Sequence, residues 1–520
     1  MLALDVRRMG GRGGIGRRWR LKIFCHWRAG SSPAVRTIAC AALVLIAACD
    51  RRPDVGPVVV SAIGDAPALR DPARAEQRTG DRLLADSIAQ GLVRFDAAGQ
   101  IEPGIAERWI VIDDGTTYIF RLHDAAWPDG RPVTASEIVA ILKRQIGPRA
   151  RNPLAPWLTA IDTIVEMTPQ VIQIELSRPR PDLLKLFAQP ELAIAPPRAA
   201  GSGGGSGPFR IARRGSRSLL LTPVPDAARA PDRQHERVPE ENVRLIGERA
   251  ARAITRFAAR ASDLVTGGTV SDWPLLQASG VAPASIRLDP AAGLFGLAIA
   301  RRDGFLATPE NRAAIAAAID RAALTATFTA DWAPAEQLLP ESLDSAAPPA
   351  LPSWAPLDRA ARLQAARAQV DAWRKAHPGP LTLRLAVPGG PGGTLLWGRI
   401  GADLRAIGIT PLRAGPMDDR ADLRLIDAVA PYDSARWYVA VACAPCGAAA
   451  TAAIEAARTA VTPADRAAAI AAADAALAAD AAFIPLARPL RWSLVSLRLR
   501  QWTPNPRAWH PLNRLRADTK

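Results

Sequence analysis

The chain has 520 residues, five of them cysteine, and a formal net charge of +16. A chain of this length exceeds what one hydrophobic core usually holds, so we expect two or three domains. The basic excess does not indicate nucleic-acid binding, because the sequence has no run of five Lys or Arg and no basic helix interleaved with aromatic residues. We therefore expect no nucleic-acid partner.

An apolar run near the start of the chain covers residues 38–48 and ends at Cys49, which is followed directly by Asp50. The run has the length of a secretory leader and is too short to span a bilayer. This junction resembles a bacterial lipobox, which implies that residues 1–48 are a leader and that Cys49 is lipidated. Two alternatives stay open: translation starts near residue 35, or Cys49 is a buried thiol at the end of a hydrophobic helix.

Removal of the leader would change the charge and the location of the protein. Residues 1–48 contain eight arginines, one lysine and one aspartate, so they hold half of the net charge of +16. Asp50 resembles the residue that keeps lipoproteins on the inner membrane in some Gram-negative bacteria. We therefore expect a lipid-anchored protein on the periplasmic side of the inner membrane.

Beyond the leader, strand and helix patterns alternate along the chain, which predicts a mixed α/β body. A short apolar strand is predicted at Val58–Val60. Residues 101–124 alternate in a strand-like way, notably at Thr117–Leu122. A helix is predicted at Leu83–Leu92. A second helix follows Thr134, which is expected to form a capping box with Glu137.

The glycine-rich stretch Gly201–Gly207 predicts a flexible linker between domains. It lacks the Lys-Ser/Thr ending that a phosphate-binding loop would need. After it, helices are predicted from Thr308 to Leu324 and from Leu395 to Ile407. The alanine-rich stretch 447–482 predicts one or two packed helices.

Beyond Cys49, the body contains two cysteines, Cys443 and Cys446. In an oxidising compartment we expect them to form a local disulfide. A redox centre or half of a zinc site stays open as an alternative. The histidines of the body lie singly along the sequence, so we predict no metal site and expect no cofactor.

A set of short segments, taken in order, resembles one known family. The segments are Gly91–Val93, Pro103–Trp109, Asp114–Leu122, Trp127–Ala135, Gly205–Phe209, Arg312–Leu324 and Leu404–Ile409. In this order and spacing the chain is similar to the family 5 extracellular solute-binding proteins, the oligopeptide- and dipeptide-binding components of ABC importers. Any single segment would be a weak signal, whereas the ordered set extends over roughly residues 65–515.

The resemblance implies a periplasmic-binding-protein type II fold, with two α/β lobes joined by a hinge and an extra domain inserted near the N-terminus. The expected boundaries are 49–86 with 200–265 and 483–520 for lobe one, 87–199 for the extra domain and 266–482 for lobe two. It further implies a monomer that encloses a peptide or peptide-like ligand between its lobes and delivers it to an inner-membrane ABC permease.

One segment departs from the family pattern. Peptide binders of this family often hold the ligand amine with the Asp of a Trp-x-Ala-Asp-Tyr segment, which corresponds here to Ala428–Tyr432, with Pro431 in place of the Asp. We therefore predict that Asp433 and Tyr432 contact the ligand. The alternative is that Asp433 caps the following turn or helix.

The altered segment also keeps a second function open. An envelope lipoprotein that uses this fold for interaction or sensing, without transport, is the alternative to an importer component. We expect no enzymatic activity, because the sequence has no H-E-x-x-H, G-x-S-x-G or Cys-His arrangement.

Overall fold

The computed structural model describes residues 55–71, 74, 77–195, 204–224, 239–341 and 343–516. The predicted leader, residues 1–48, and the predicted lipidation site Cys49 lie outside these ranges. No helix within them is long and apolar enough to cross a membrane.

The strands, in chain order, are β1 (Val58–Ile63), β2 (Val93–Phe95), β3 (Ile101–Pro103), β4 (Ala106–Ile112), β5 (Thr117–Leu122), β6 (Ile161–Thr168), β7 (Val171–Leu176), β8 (Phe209–Arg214), β9 (Ser218–Pro223), β10 (Val243–Glu248), β11 (Leu264–Gly268), β12 (Ile286–Asp289), β13 (Gly293–Ile299), β14 (Thr382–Ala386), β15 (Thr410–Ala414), β16 (Leu423–Val429), β17 (Phe483–Ala487) and β18 (Arg491–Val495).

The helices, numbered within the described residues, are α1 (Thr79–Ile88), α2 (Ala135–Ile146), α3 (Leu183–Phe187), α4 (Ala250–Ala258), α5 (Trp273–Gln277), α6 (Pro309–Ala318), α7 (Arg321–Ala326), α8 (Arg359–Ala376), α9 (Gly390–Ala406), α10 (Ala435–Ala442), α11 (Ala448–Thr459) and α12 (Pro463–Asp480). The alanine-rich stretch thus forms two helices, α11 and α12, which pack on each other.

Within the described residues these strands form four sheets. The largest has seven strands in the order β12-β18-β11-β1-β10-β9-β8, and β1 runs parallel to both β10 and β11. A five-stranded sheet has the order β15-β14-β16-β13-β17. An antiparallel sheet has the order β4-β5-β7-β6, and β2 pairs with β3. The mixture of sheets and packed helices confirms the predicted α/β class.

The position of β1 at the centre of the seven-stranded sheet explains why its sequence is almost continuously apolar. All of β1 is buried except the partly buried Ile63 at its end. Parallel strands that are covered on both faces have such runs instead of alternating apolar and polar residues. The one polar side chain of β1, Ser61, donates a hydrogen bond to Glu248 Oε1 at 2.7 Å, so burial leaves its hydroxyl satisfied.

The strand-like stretch 101–124 forms β3, β4 and β5, and α2 forms as predicted with one difference. The Thr134 hydroxyl caps α2 by accepting from the Glu137 amide at 3.4 Å. The Glu137 carboxylate, however, accepts from the indole nitrogen of the buried Trp127 at 2.6 Å. Because the Glu137 carboxylate bonds to Trp127, the predicted capping box is not completed.

Two other predicted helices end earlier than expected. α1 ends at Ile88, because groups that would continue the helix bond elsewhere: the Ile88 carbonyl accepts from the Gly205 amide at 2.8 Å, and the Gln90 amide donates to Ser206 Oγ at 3.4 Å. The predicted helix from Thr308 to Leu324 is broken into α6 and α7. Asp320 begins the second one by accepting from the Ala323 amide at 2.9 Å.

The described part of the glycine-rich stretch packs against α1, which corrects the prediction of a flexible linker there. The amides of Gly205 and Gly207 donate to the Ile88 carbonyl at 2.8 and 3.1 Å. A Cβ on Gly207 would lie 2.5 Å from the Ile88 carbonyl carbon. The glycines are thus needed for close approach of two backbones.

The division of the chain into domains stays a prediction, and the sheets bear on where its boundaries would lie. β12 belongs to the seven-stranded sheet, although residues 266–482 were expected in lobe two. β17 pairs with β13 in the five-stranded sheet, so the chain returns to the seven-stranded sheet only at β18. The antiparallel sheet β4–β7 falls within the expected extra domain, 87–199.

Candidate functional site

The two residues predicted to contact ligand lie in the short connection between β16 and α10. Ser434 begins α10, and its hydroxyl accepts from the Arg436 amide at 3.3 Å. Asp344 supports this start by accepting from the Ser434 hydroxyl at 3.1 Å and from the Ala435 amide at 2.7 Å. Ser434 and Asp344, rather than Asp433, therefore cap the helix.

Asp433 forms ion pairs with two cations from distant parts of the chain. Lys185, on α3, donates to one carboxylate oxygen, and Arg507 contacts the other. The Asp433 side chain is 41% exposed, whereas that of Arg507 is 5% exposed. Arg507 is held in place by the carbonyl of Ala430, to which it donates at 2.6 Å.

Lys185 supplies an ammonium group to the carboxylate for which the sequence predicted a ligand amine. Burial lowers the pKa of Lys185, and the nearby Asp182 opposes this effect. A neighbouring side chain of the same segment, Gln189, donates to the Pro431 carbonyl at 2.6 Å. The connection between β16 and α10 is thus bound to the segment that follows β7, and a ligand role for Asp433 stays a prediction.

Tyr432 points away from solvent and is 3% exposed. Its ring lies edge-on to Trp157, with the ring centroids 6.0 Å apart. The Arg436 guanidinium lies 5.2 Å from the centroid of the same Trp157 ring, an arrangement that favours cation–π attraction. Burial raises the pKa of Tyr432 to about 12, so the phenol is protonated at neutral pH. Its contact with ligand also stays a prediction.

Four arginines that were not singled out from the sequence lie near one another, and three of them, Arg180, Arg436 and Arg466, lie near Tyr432. The fourth is Arg178. Burial, together with the charges of the other three arginines, lowers the pKa of Arg180 to about 9. No spacing rule could have identified them, because two follow β7 and two lie on α10 and α12.

Cys443 and Cys446 are joined by a disulfide just after α10. The Cys446 sulfur lies 3.4 Å from the Thr451 hydroxyl oxygen at the start of α11. The bridge therefore closes the connection between these two helices. Among the residues that the structure describes, no group of three His, Cys, Asp or Glu side chains could hold a metal ion.

Comparison with known proteins identifies the family. Residues 100–411 match the model for bacterial extracellular solute-binding proteins, family 5. A probable deoxycholate-binding periplasmic protein of Escherichia coli is 38% identical over 93 residues, which are 18% of this chain and 17% of that protein. The periplasmic oligopeptide-binding protein of the same organism is 30% identical over 147 residues, 25% of this chain and 27% of that protein. The alignments thus span less than a third of these relatives.

Solved structures extend the likeness of fold over most of the chain. An oligopeptide-binding protein of Haemophilus influenzae in complex with the peptide RPPGFSPFR has a TM-score of 0.73 and 16% identity, covering 88% of this chain and 98% of that one. The murein tripeptide-binding protein of E. coli has a TM-score of 0.73 and 19% identity, covering 88% and 97%. These matches confirm the predicted two-lobe fold of periplasmic-binding-protein type II. With a family model that matches well over half of its length, this chain belongs to the bacterial extracellular solute-binding proteins, family 5.

Proposed function

We propose that the protein is a lipid-anchored solute-binding protein that captures peptides or peptide-like ligands between its lobes and delivers them to an ABC importer permease. The family match over residues 100–411 carries this proposal. It is supported by a fold shared with a structure that holds a nine-residue peptide, RPPGFSPFR. Closure of two lobes around a ligand would couple binding to a shape that a permease can recognise. The proposal includes no catalytic step.

The proposed location rests on the residues around Cys49. A lipidated cysteine would hold the body on the periplasmic side of the inner membrane, where a permease lies, since two or more acyl chains anchor stably. Cells expressing the full chain should incorporate radiolabelled palmitate into it and retain it in the inner-membrane fraction. A Cys49→Ser variant should lose the label. If the unsubstituted chain takes up no label, the anchor is wrong and the binding function is unaffected.

Ligand capture is tested by a thermal-shift screen of the purified full chain against pooled peptides of two to nine residues. A ligand that binds only the native state, at 100 times its Kd, stabilises the native state by about 2.7 kcal/mol. We expect at least one pool to raise the melting temperature by several degrees. If no pool does so at millimolar peptide concentration, the protein is not a peptide receptor.

One observation favours a second candidate function. Asp433 already carries two internal partners, Lys185 and Arg507, so the chain itself occupies a carboxylate near the predicted amine site. An envelope lipoprotein that uses the fold for interaction without transport would fit this arrangement. Crosslinking in cells separates the two candidates, because only an importer component should be captured with a permease.

A further inference from the structure

Four arginines form a cluster where the segment after β7 meets helices α10 and α12. This arginine cluster consists of Arg178, Arg180, Arg436 and Arg466. Three of its members are more than nine-tenths buried: Arg180 is 7% exposed, Arg436 4% and Arg466 7%. Arg178 is half-buried. The cluster is therefore a concentration of positive charge that is largely withdrawn from water.

The polar contacts of the cluster leave most of this charge without a counter-charge. Arg180 donates to the Arg458 carbonyl at 3.2 Å, and Arg178 donates to the Ser177 hydroxyl at 3.1 Å. Arg436 lies over the Trp157 ring. Within the described residues none of these three arginines has a carboxylate within ion-pair distance.

Only Arg466 has an anionic partner among the described residues. Its guanidinium lies 3.1 Å from a carboxylate oxygen of Asp344 and donates to the Ser434 hydroxyl at 2.7 Å. Asp344 also supports the start of α10. This single carboxylate cannot balance the whole cluster.

The other carboxylates nearby are engaged elsewhere. Asp433 is held by Lys185 and Arg507, and Glu455 is held by Arg458. Asp182 is half-buried and, in the part of the chain described, makes no ion pair with the cluster. The other carboxylates near the arginine cluster thus pair with other cations or form no ion pair with the cluster.

Several donor atoms of the cluster point to no acceptor. Among the described residues, the Nε atoms of all four arginines, and Nη2 of Arg178, are buried without a hydrogen-bond partner. An unpaired buried charge costs several kcal/mol, and an unsatisfied buried donor adds to that cost. Guanidinium groups do not lose their proton at neutral pH. An external anion would remove both costs at once, because planar guanidinium groups match carboxylate and phosphate oxygens.

We propose that the arginine cluster binds an anionic group of the ligand, a carboxylate or a phosphate, so that the protein selects ligands by negative charge instead of by a free amine. The inference rests on the proposed function, since it names the ligand chemistry of the same protein. Lys185 fits this assignment, because it already supplies the ammonium group for Asp433. The site would therefore recognise peptides with a free carboxylate and a blocked amine, or phosphorylated equivalents.

Isothermal titration of the full chain with three matched probes tests the charge preference. The probes are N-acetyl-trialanine with a free carboxylate, trialanine amide with a free amine, and N-acetyl-phosphoserine amide. We expect at least one of the two anionic probes to bind at least tenfold more tightly than the amine probe. Binding of only one of them identifies the anion as carboxylate or phosphate. If the amine probe binds as tightly as both anionic probes, the charge inference is wrong while peptide capture stands. If no probe binds and the peptide pools also fail, the proposed function itself fails.

Arginine variants locate the anion. Arg180→Met and Arg436→Met should each weaken binding of the preferred anionic probe by about 10- to 100-fold, the range expected for one charge-assisted hydrogen bond. Binding of the amine probe should not change. Arg108→Met, at an exposed position on β4, is the matched control and should bind as the unsubstituted protein does.

Stability separates a ligand role from a structural one. Without ligand, Arg180→Met should melt at the same temperature as the unsubstituted protein or higher, because it removes an unpaired buried charge. A purely structural arginine would instead lower the melting temperature when it is replaced. Unchanged anion affinity in both Arg180→Met and Arg436→Met would overturn the proposal.

Discussion

The Lys185 ammonium group lies on the carboxylate of Asp433, 248 residues further along the chain. Lys185 belongs to the segment that follows the antiparallel sheet, and Asp433 precedes α10. The pair therefore binds two parts of the fold that are distant in sequence. It also places an internal amine on one of the two residues that the sequence predicts to contact the ligand.

Lys185→Gln is expected to change ligand preference more than stability. The pair is partly exposed, with side-chain exposures of 27% and 41%, so its loss should cost less than about 1 kcal/mol. The substitution releases Asp433 from one of its two cations. It should therefore increase the affinity for trialanine amide relative to the affinity for N-acetyl-trialanine. Titration of both probes checks this expectation. Lys143→Gln, at an exposed position on α2, is the control, and an identical preference in both variants would contradict the prediction.

The buried carboxyl group of Asp474 should make the stability of the protein depend on pH. Its side chain is 2% exposed, one oxygen accepts from the Ala350 amide at 2.7 Å, and burial raises its pKa from 3.8 to about 6. The native state therefore holds this proton more tightly than the unfolded state. Its contribution to stability is fully present below pH 4 and is lost as the pH rises through about 6.

Asp474→Asn should remove this dependence. At pH 7.5 the variant is expected to exceed the unsubstituted protein in free energy of unfolding by about 1–3 kcal/mol, and the difference should vanish near pH 4. Urea unfolding at both pH values measures it. Asp371→Asn, at an exposed position on α8, should show no such change. A constant difference between the Asp474 variant and the unsubstituted protein at the two pH values would refute the assignment.

Gly207→Ala should destabilise the protein, because its new Cβ would lie 2.5 Å from the Ile88 carbonyl carbon and 2.6 Å from the Ala89 nitrogen. Both contacts are to backbone that cannot move without disturbing α1, so we expect a loss of about 1–3 kcal/mol. Gly398→Ala is the matched control. Its Cβ would meet no atom within 4 Å and lies in α9, so this variant should gain about 0.5–1 kcal/mol. Thermal unfolding of the two variants should therefore shift in opposite directions.

The disulfide between Cys443 and Cys446 should contribute modestly to stability. It spans a sequence separation of three residues, and closure of so short a loop is expected to stabilise the protein by about 2 kcal/mol in the chain-entropy model. The double variant Cys443→Ser, Cys446→Ser should unfold at lower urea concentration. Reductant should then lower the stability of the unsubstituted protein and leave that of the variant unchanged. Equal sensitivity to reductant would show that the bridge does not contribute.

Local sequence patterns were sufficient for those elements whose residues interact mainly with their neighbours in the chain. β5, Thr117–Leu122, lies within the predicted strand-like stretch 101–124, and α2 begins after the predicted Thr134 cap. Where a distant element competes for the same group, prediction failed. Glu137 bonds to Trp127 rather than to the cap, and α1 ends early because the Ile88 carbonyl accepts from the amides of Gly205 and Gly207.

The sequence by itself therefore determined the α/β class and, through an ordered set of motifs, the family. Periodicity and motif order depend on the order of residues along the chain, so both can be seen in the sequence without a structure. Only the tertiary structure decided the partners of Asp433, the close packing of Gly207 and the assembly of the arginine cluster. Each of these joins side chains or backbones from separate segments, and 278 residues separate Arg180 from its carbonyl partner at Arg458. The arginines of the cluster become buried only when those segments pack together, and burial is what makes their unpaired charge costly.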